Sequence, residues 1–113
     1  MMNNILKNID FSKVLDFSEL VAYQSGQIVS RTLVQNKAVS ITLFAFDKDE
    51  EISSHESSGD AMVYVLEGVG EITIGGEVFY PEKDKVIVMP AGVPHAVRAK
   101  EPFKMLLVVV FPQ

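Results

Sequence analysis

From Gln27 onward the chain is written in short apolar runs that alternate with polar residues and are cut by turn-forming ones. Ile28-Val29-Ser30-Arg31-Thr32-Leu33-Val34 is rich in β-branched residues, which fit a pleated, half-buried surface, and Asn36-Lys37 suits a turn. Ala38 to Phe46 alternates with period two: Val39, Ile41, Leu43 and Ala45 share one face, and Ser40, Thr42, Phe44 and Phe46 share the other. Two phenylalanines on the nominally polar face predict that both faces are covered. One side is then an interior, and the other lies under a partner or the N-terminal segment.

Asp47 to Asp60 reads as a polar, acidic loop. Strands are predicted at Met62–Glu67, Glu71–Ile74, Glu77–Tyr80, Val86–Met89, His95–Ala99 and Phe103–Val110. The Gly75-Gly76 pair between two of them supplies the positive φ angles of a tight hairpin. The first twenty-odd residues differ: Ile5, Leu6, Ile9, Val14, Leu15 and Phe17 are spaced irregularly among Asn, Lys, Asp and Ser. Asp10 or Ser12, and Asp16 or Ser18, suit the caps of short helices, and the segment is read as an arm with little regular structure. About eight strands with turn signals every 8–12 residues predict an all-β sandwich or barrel, and no long helical pattern alternates with them. The expected organisation is a single domain, 1–113, with an arm at 1–24 and a barrel at 25–113.

Composition narrows the function classes. At 113 residues and 48% hydrophobic, the chain has material for one core and no second. A net charge of −5 with the ten Lys and Arg scattered argues against a nucleic-acid partner. There is no cysteine, so disulfides, thiolate nucleophiles and cysteine-ligated metals are excluded. The longest apolar run, Met105 to Phe111, is far shorter than the ~20 residues of a spanning helix, and no basic segment precedes a long apolar stretch near Met1. The expectation is a cytoplasmic protein with no membrane association. Phe103–Phe111 is apolar on both sides apart from Lys104; one side belongs to the core and the other is expected to meet a second subunit, giving a homodimer.

Two segments combine polar chemistry with fixed turns. One is Ser53-Ser54-His55-Glu56-Ser57-Ser58-Gly59-Asp60, leading into Ala61-Met62-Val63-Tyr64-Val65-Leu66-Glu67-Gly68; the other is Asp84 through Met89-Pro90-Ala91-Gly92-Val93-Pro94-His95. Pro90 and Gly92 make a fixed bend that hands the chain to a strand beginning at His95. With period two, His95, Val97 and Ala99 share a face, while Ala96, Arg98 and Lys100 share the charged one, so His95 is predicted to point inward.

Together these segments resemble the paired motifs of the cupin superfamily, over roughly Ile41 to Val110. The resemblance implies a single double-stranded β-helix, or jelly-roll barrel. It also implies a metal held by three histidines and one glutamate. The chain departs from that ligand set. Counting back from Gly68, Ala61 occupies the glutamate position. A three-residue spacer puts Ser57 and His55 at the histidine positions, and a four-residue spacer puts Glu56 and Ser54 there. The only two histidines, His55 and His95, are the candidate metal ligands, for a divalent zinc, iron, nickel or manganese ion. Asp60 and Glu56 are the nearby carboxylates, Asp60 one residue from the expected place and hence on the opposite face of a regular strand. The bland alternatives are a hydrogen-bonded core histidine at His95 and a solvated loop histidine at His55. Met62, Met89 and Met105 either line a pocket or fill the core.

The candidate ligand pocket is therefore His55, His95, Asp60 and Met89, with His95 the best candidate for catalysis. One reading is a binding or sensing module for a small molecule with a degenerate metal site. The other is a metal-dependent oxygenase, isomerase or lyase using His55 and His95, or a metal-free enzyme with His95 as general acid or base. A purely structural or oligomerising role is the third class. Gly68-Val69-Gly70 joins two strands and is no phosphate loop.

Overall fold

The structure is a computed structural model and describes residues 5–113. The β-branched and alternating segments form nine strands: β1 Ile28–Gln35, β2 Val39–Phe46, β3 Glu51–His55, β4 Asp60–Glu67, β5 Glu71–Ile74, β6 Glu77–Phe79, β7 Val86–Met89, β8 His95–Arg98 and β9 Phe103–Val110. All named pairings are antiparallel. They make a five-stranded sheet in the order β1-β2-β9-β4-β7 and a four-stranded sheet in the order β3-β8-β5-β6. This is the all-β barrel that the sequence pattern predicts, in the jelly-roll form that the resemblance implies. The Gly75-Gly76 turn joins β5 to β6, with both φ angles positive at 56° and 88°, as a tight primed hairpin requires.

One expectation needs correcting. Residues 51–55, read as part of a loop, form β3, the edge strand beside β8. Only Ile52 is apolar among these five, so the segment carries no alternation to betray it; its pairing comes from β8, which already has one side committed to β5.

The barrel interior is a continuous apolar cluster that includes Phe46, Val63, Val65, Ile72, Met89 and Phe103, all essentially buried. Phe46 and Phe103 stack at 4.8 Å between centroids. On β2 it is the Phe44–Phe46 face that turns inward. The opposite face, with Leu43 and Ala45, joins Leu33 and Val21 in a second buried cluster, against which Ile9, Leu20 and Tyr23 of the N-terminal segment pack. The arm thus closes part of the sheet's outer side.

Polar bonds hold it there. The Lys7 amide donates to the Leu33 carbonyl at 2.8 Å and the Asn8 side-chain amide to Thr32 at 2.8 Å. Lys104 Nζ donates to the Ser18 carbonyl at 2.6 Å and lies 4.9 Å over the Tyr23 ring. The Tyr23 hydroxyl donates to Glu67 at 2.5 Å. Burial, reinforced by that carboxylate, pushes the phenol well above its usual 10.0. Asp16 caps a single 3₁₀ turn, Phe17–Glu19, by accepting from the Ser18 amide; Asp10 and Ser12 start no helix. No helix among the described residues is long and apolar enough to cross a membrane.

Candidate functional site

The site begins with the Pro90–Pro94 bend. Gly92 takes φ +74°, open to glycine at no steric cost, and its amide donates to the Ser57 carbonyl at 2.9 Å. The Ala91 amide donates to Asp60 Oδ1 at 2.9 Å, and the Gly75 amide to the Pro94 carbonyl at 2.9 Å. The bend is therefore tied to three neighbouring segments before the chain enters β8. There the alternation is as expected: His95, Val97 and Ala99 are buried, while Ala96 and Arg98 face outward. His95 is only 3% exposed.

His55, itself exposed, is brought against His95 by an irregularity. Ile52 pairs with Val97 on the inner face, so an unbroken antiparallel ladder would set Ser54 opposite His95 and turn His55 outward. The register shifts between Ile52 and His55, and His55 becomes the partner of His95. The extra residue is a β-bulge, a feature that re-aims a side chain. The two rings meet edge to face, 4.4 Å between centroids at 68°.

Both imidazoles are oriented in the same way. His95 Nδ1 lies 3.2 Å from the Val93 carbonyl, and His55 Nδ1 lies 3.0 Å from the Ser53 carbonyl. A carbonyl only accepts, so each Nδ1 is the donor, and on a neutral His95 the lone pair is left at Nε2. Among the described residues neither Nε2 has a hydrogen-bond partner, and no side-chain nitrogen or oxygen is both buried and unpartnered. His95 Nε2 therefore keeps contact with solvent. Burial holds His95 below its ordinary 6.5, the facing His55 adds to the lowering, and the Val93 carbonyl opposes it.

Among the described residues no hydrogen bond joins the other predicted residues to this pair. Asp60 lies on the outer face of β4, one step from the buried Ala61, and its carboxylate is spent on the Ala91 amide. Met89 pairs with Ala61 and is packed in the barrel core. Glu56 is exposed on the loop after β3. Ser57 serves the loop: its hydroxyl accepts from the Gly59 amide at 3.1 Å. Among the described residues no group of three or more His, Asp or Glu could hold a metal. Two imidazoles beside Ala61 do not fit a centre of three histidines and a carboxylate. A hollow of about 830 Å³ lies elsewhere, between the arm and β1. The sequence reading missed the bulge and the two orienting carbonyls, since neither a backbone oxygen nor a register shift has a residue-type signature.

A family model for the cupin domain matches residues 42–111. A conserved protein of unknown function from Streptococcus pyogenes is 49% identical, covering 98% of this chain and 97% of that one, with a TM-score of 0.96. A cupin superfamily protein from Desulfitobacterium hafniense is 31% identical over 95% of this chain and 98% of that one, with a TM-score of 0.90. A cupin 2 conserved barrel domain protein from Leptotrichia buccalis is 42% identical over 82% of this chain and 45% of that longer one, with a TM-score of 0.80. Among curated proteins none matches.

Proposed function

The chain belongs to the cupin domain family, and on that premise we propose that it binds or senses a small molecule at the barrel mouth through His95 Nε2. The observation that carries this reading is a buried imidazole whose Nδ1–H is committed to Val93, leaving an Nε2 with no hydrogen-bond partner among the described residues, beside His55. A lone pair asks for a donor, so the ligand class is a small molecule with an apolar body and a hydroxyl or amine. The apolar part would meet Ile52 and Ile74, which are the inward neighbours of the two histidines. The missing carboxylate at Ala61 favours binding without a resident metal, as does the absence of a third ligand among the described residues. An acidic chain without cysteine suits a cytoplasmic setting.

Protein purified without a histidine tag, examined by native mass spectrometry and metal analysis, tests the reading. A co-purifying small molecule lost in His95→Ala supports it. Near one equivalent of zinc, iron, nickel or manganese, lost in the same variant, rules out the metal-free site. If nothing co-purifies, a library of hydroxylated and aminated fragments is screened by NMR. Failure of every fragment to shift the His95 imidazole then overturns the proposal.

A second reading, an enzyme with His95 as general acid or base, draws on the same lone pair. A lowered imidazole is neutral near pH 7 and ready to take a proton. It requires turnover that His95→Gln abolishes while leaving ligand affinity nearly intact.

A further inference from the structure

β1 is an edge strand, and its open side is used only in part. The Asp47 amide donates to the Gln27 carbonyl, one step before the Ile28–Phe46 pair. Bonded and non-bonded pairs alternate along an antiparallel ladder, so Val29 and Arg31 turn their main-chain groups to β2. Ile28, Ser30 and Thr32 turn theirs to the open side. The arm takes one end of that edge: the Lys7 amide donates to Leu33, and the Asn8 side chain to the Thr32 carbonyl. The arm then leaves the strand at Asn8, whose φ is +60°. At the other end the Gln27 amide is taken by Gln24. Between these anchors the Ser30 amide and carbonyl have no partner among the described residues. The hollow of about 830 Å³ opens there, lined by Ser30 and Arg31 of β1 and by Asp10, Glu19 and Gln24 of the arm.

Charge sorts what this hollow can hold. Arg31 pairs with Leu43, on the face that the arm covers, and is half-buried. One of its N–H donors reaches the Asn8 carbonyl at 3.2 Å, and no carboxylate among the described residues lies within ion-pair distance of it. Asp10 is paired with Lys13 at 3.6 Å, whereas Glu19 has no ion-pair partner among the described residues. A guanidinium and a carboxylate thus line one hollow without neutralising each other. Beside them runs a strand edge with an open N–H and C=O, a template for another extended chain. We propose that the hollow binds a short peptide with free ends, laid along β1 as an added strand. Its main chain pairs with Ser30, its carboxylate meets Arg31 and its ammonium meets Glu19. Length agrees: from Ile28 to Thr32 the edge runs ~13 Å at ~3.3 Å per residue, enough for a tripeptide. The volume falls within the ~300–1,000 Å³ of small-ligand sites. This site lies outside the barrel mouth and is independent of the ligand proposed at His95.

Titration of the full chain with trialanine, followed by amide NMR, tests this. The expected result is a saturable shift of the Ser30 amide that His95→Ala leaves unchanged. Amidating the peptide's carboxylate is expected to weaken binding about tenfold or more, and so is Arg31→Gln. In Arg31→Gln the amidated and free peptides should then bind alike, because the two changes remove one and the same contact. Acetylating the peptide's amine should act in the same way with Glu19→Gln. Should Arg31→Gln loosen the arm, the amidated and acetylated peptides decide the matter on unaltered protein. A Ser30 amide that does not move at millimolar trialanine overturns the proposal. So does equal binding of the free and doubly capped peptides by the wild type. Sodium acetate that shifts Ser30 as strongly as trialanine also overturns it, since the hollow would then hold a simple anion and no strand.

Discussion

His95 is a group whose neutral form the fold prefers, and that preference has a sign. Its folded value lies below 6.5, so between the two the unfolded chain holds a proton that the folded chain refuses. Stability therefore rises with pH across that window, is fully present above 6.5, and is lost as pH falls toward the folded value. Urea midpoints measured from neutral to mildly acidic pH should show this slope in the wild type and lose most of it in His95→Gln. The order of causes gives a finer test. Burial is the larger and the His55 charge the smaller. In His55→Ala, the His95 titration followed by NMR should move up but stay below 6.5. A complete return to 6.5 would mean that charge, not burial, sets the value. At this scale the sequence was readable where strand parity alone decided the outcome. His95 points inward, and Asp60, one residue off the motif position, lies on the outer face. His55 was not readable, because its direction depends on a register shift that residue types do not announce.

At the scale of elements, β3 shows what a bulge does. Removing Ser53 and Ser54 together would set His55 directly after the inward Ile52, and regular alternation would then turn its imidazole to the outside. The expected outcome is a folded barrel whose His95 titration matches that of His55→Ala; an unchanged His95 titration would show that the loop, not the ladder, aims His55. The arm makes a second test. Tyr23→Phe leaves the half-buried Glu67 without its 2.5 Å donor, and the expected cost is about 1–2 kcal/mol in urea unfolding. A change near zero would mean that water replaces the phenol freely. The alternation of β2 disclosed a strand with two covered faces but not which face was interior, since Leu43 and Phe46 are both apolar enough for either. Hydrophobicity locates burial; it does not say which neighbour does the burying. β3 escaped notice for the converse reason, its pairing being supplied by β8 with almost no apolar residue of its own.

The whole barrel separates what stabilises it from what equips it. Phe46 and Phe103 pair across β2 and β9 at the end where β8 finishes, beside the buried Val97 and Ala99. His95 stands where β8 begins, two register steps away, next to Ile74. Phe103 is fully buried and stacked, so Phe103→Ala should cost about 3–5 kcal/mol through lost burial and the cavity left behind. That is a large fraction of the ~5–15 kcal/mol available to a domain of this kind. Phe103→Leu keeps most of the volume and should cost less, which leaves a folded variant to examine. In that variant the His95 titration and its dependence on His55 should be those of the wild type. The bend that positions His95 is held by Ser57, Asp60 and the Gly75 amide, none of which leans on the phenylalanine stack. Distant sites with no shared partners act additively. A His95 titration that follows Phe103→Leu would instead tie the mouth to the far end of the core, and the barrel would then behave as one unit in which packing sets the chemistry of the histidine pair.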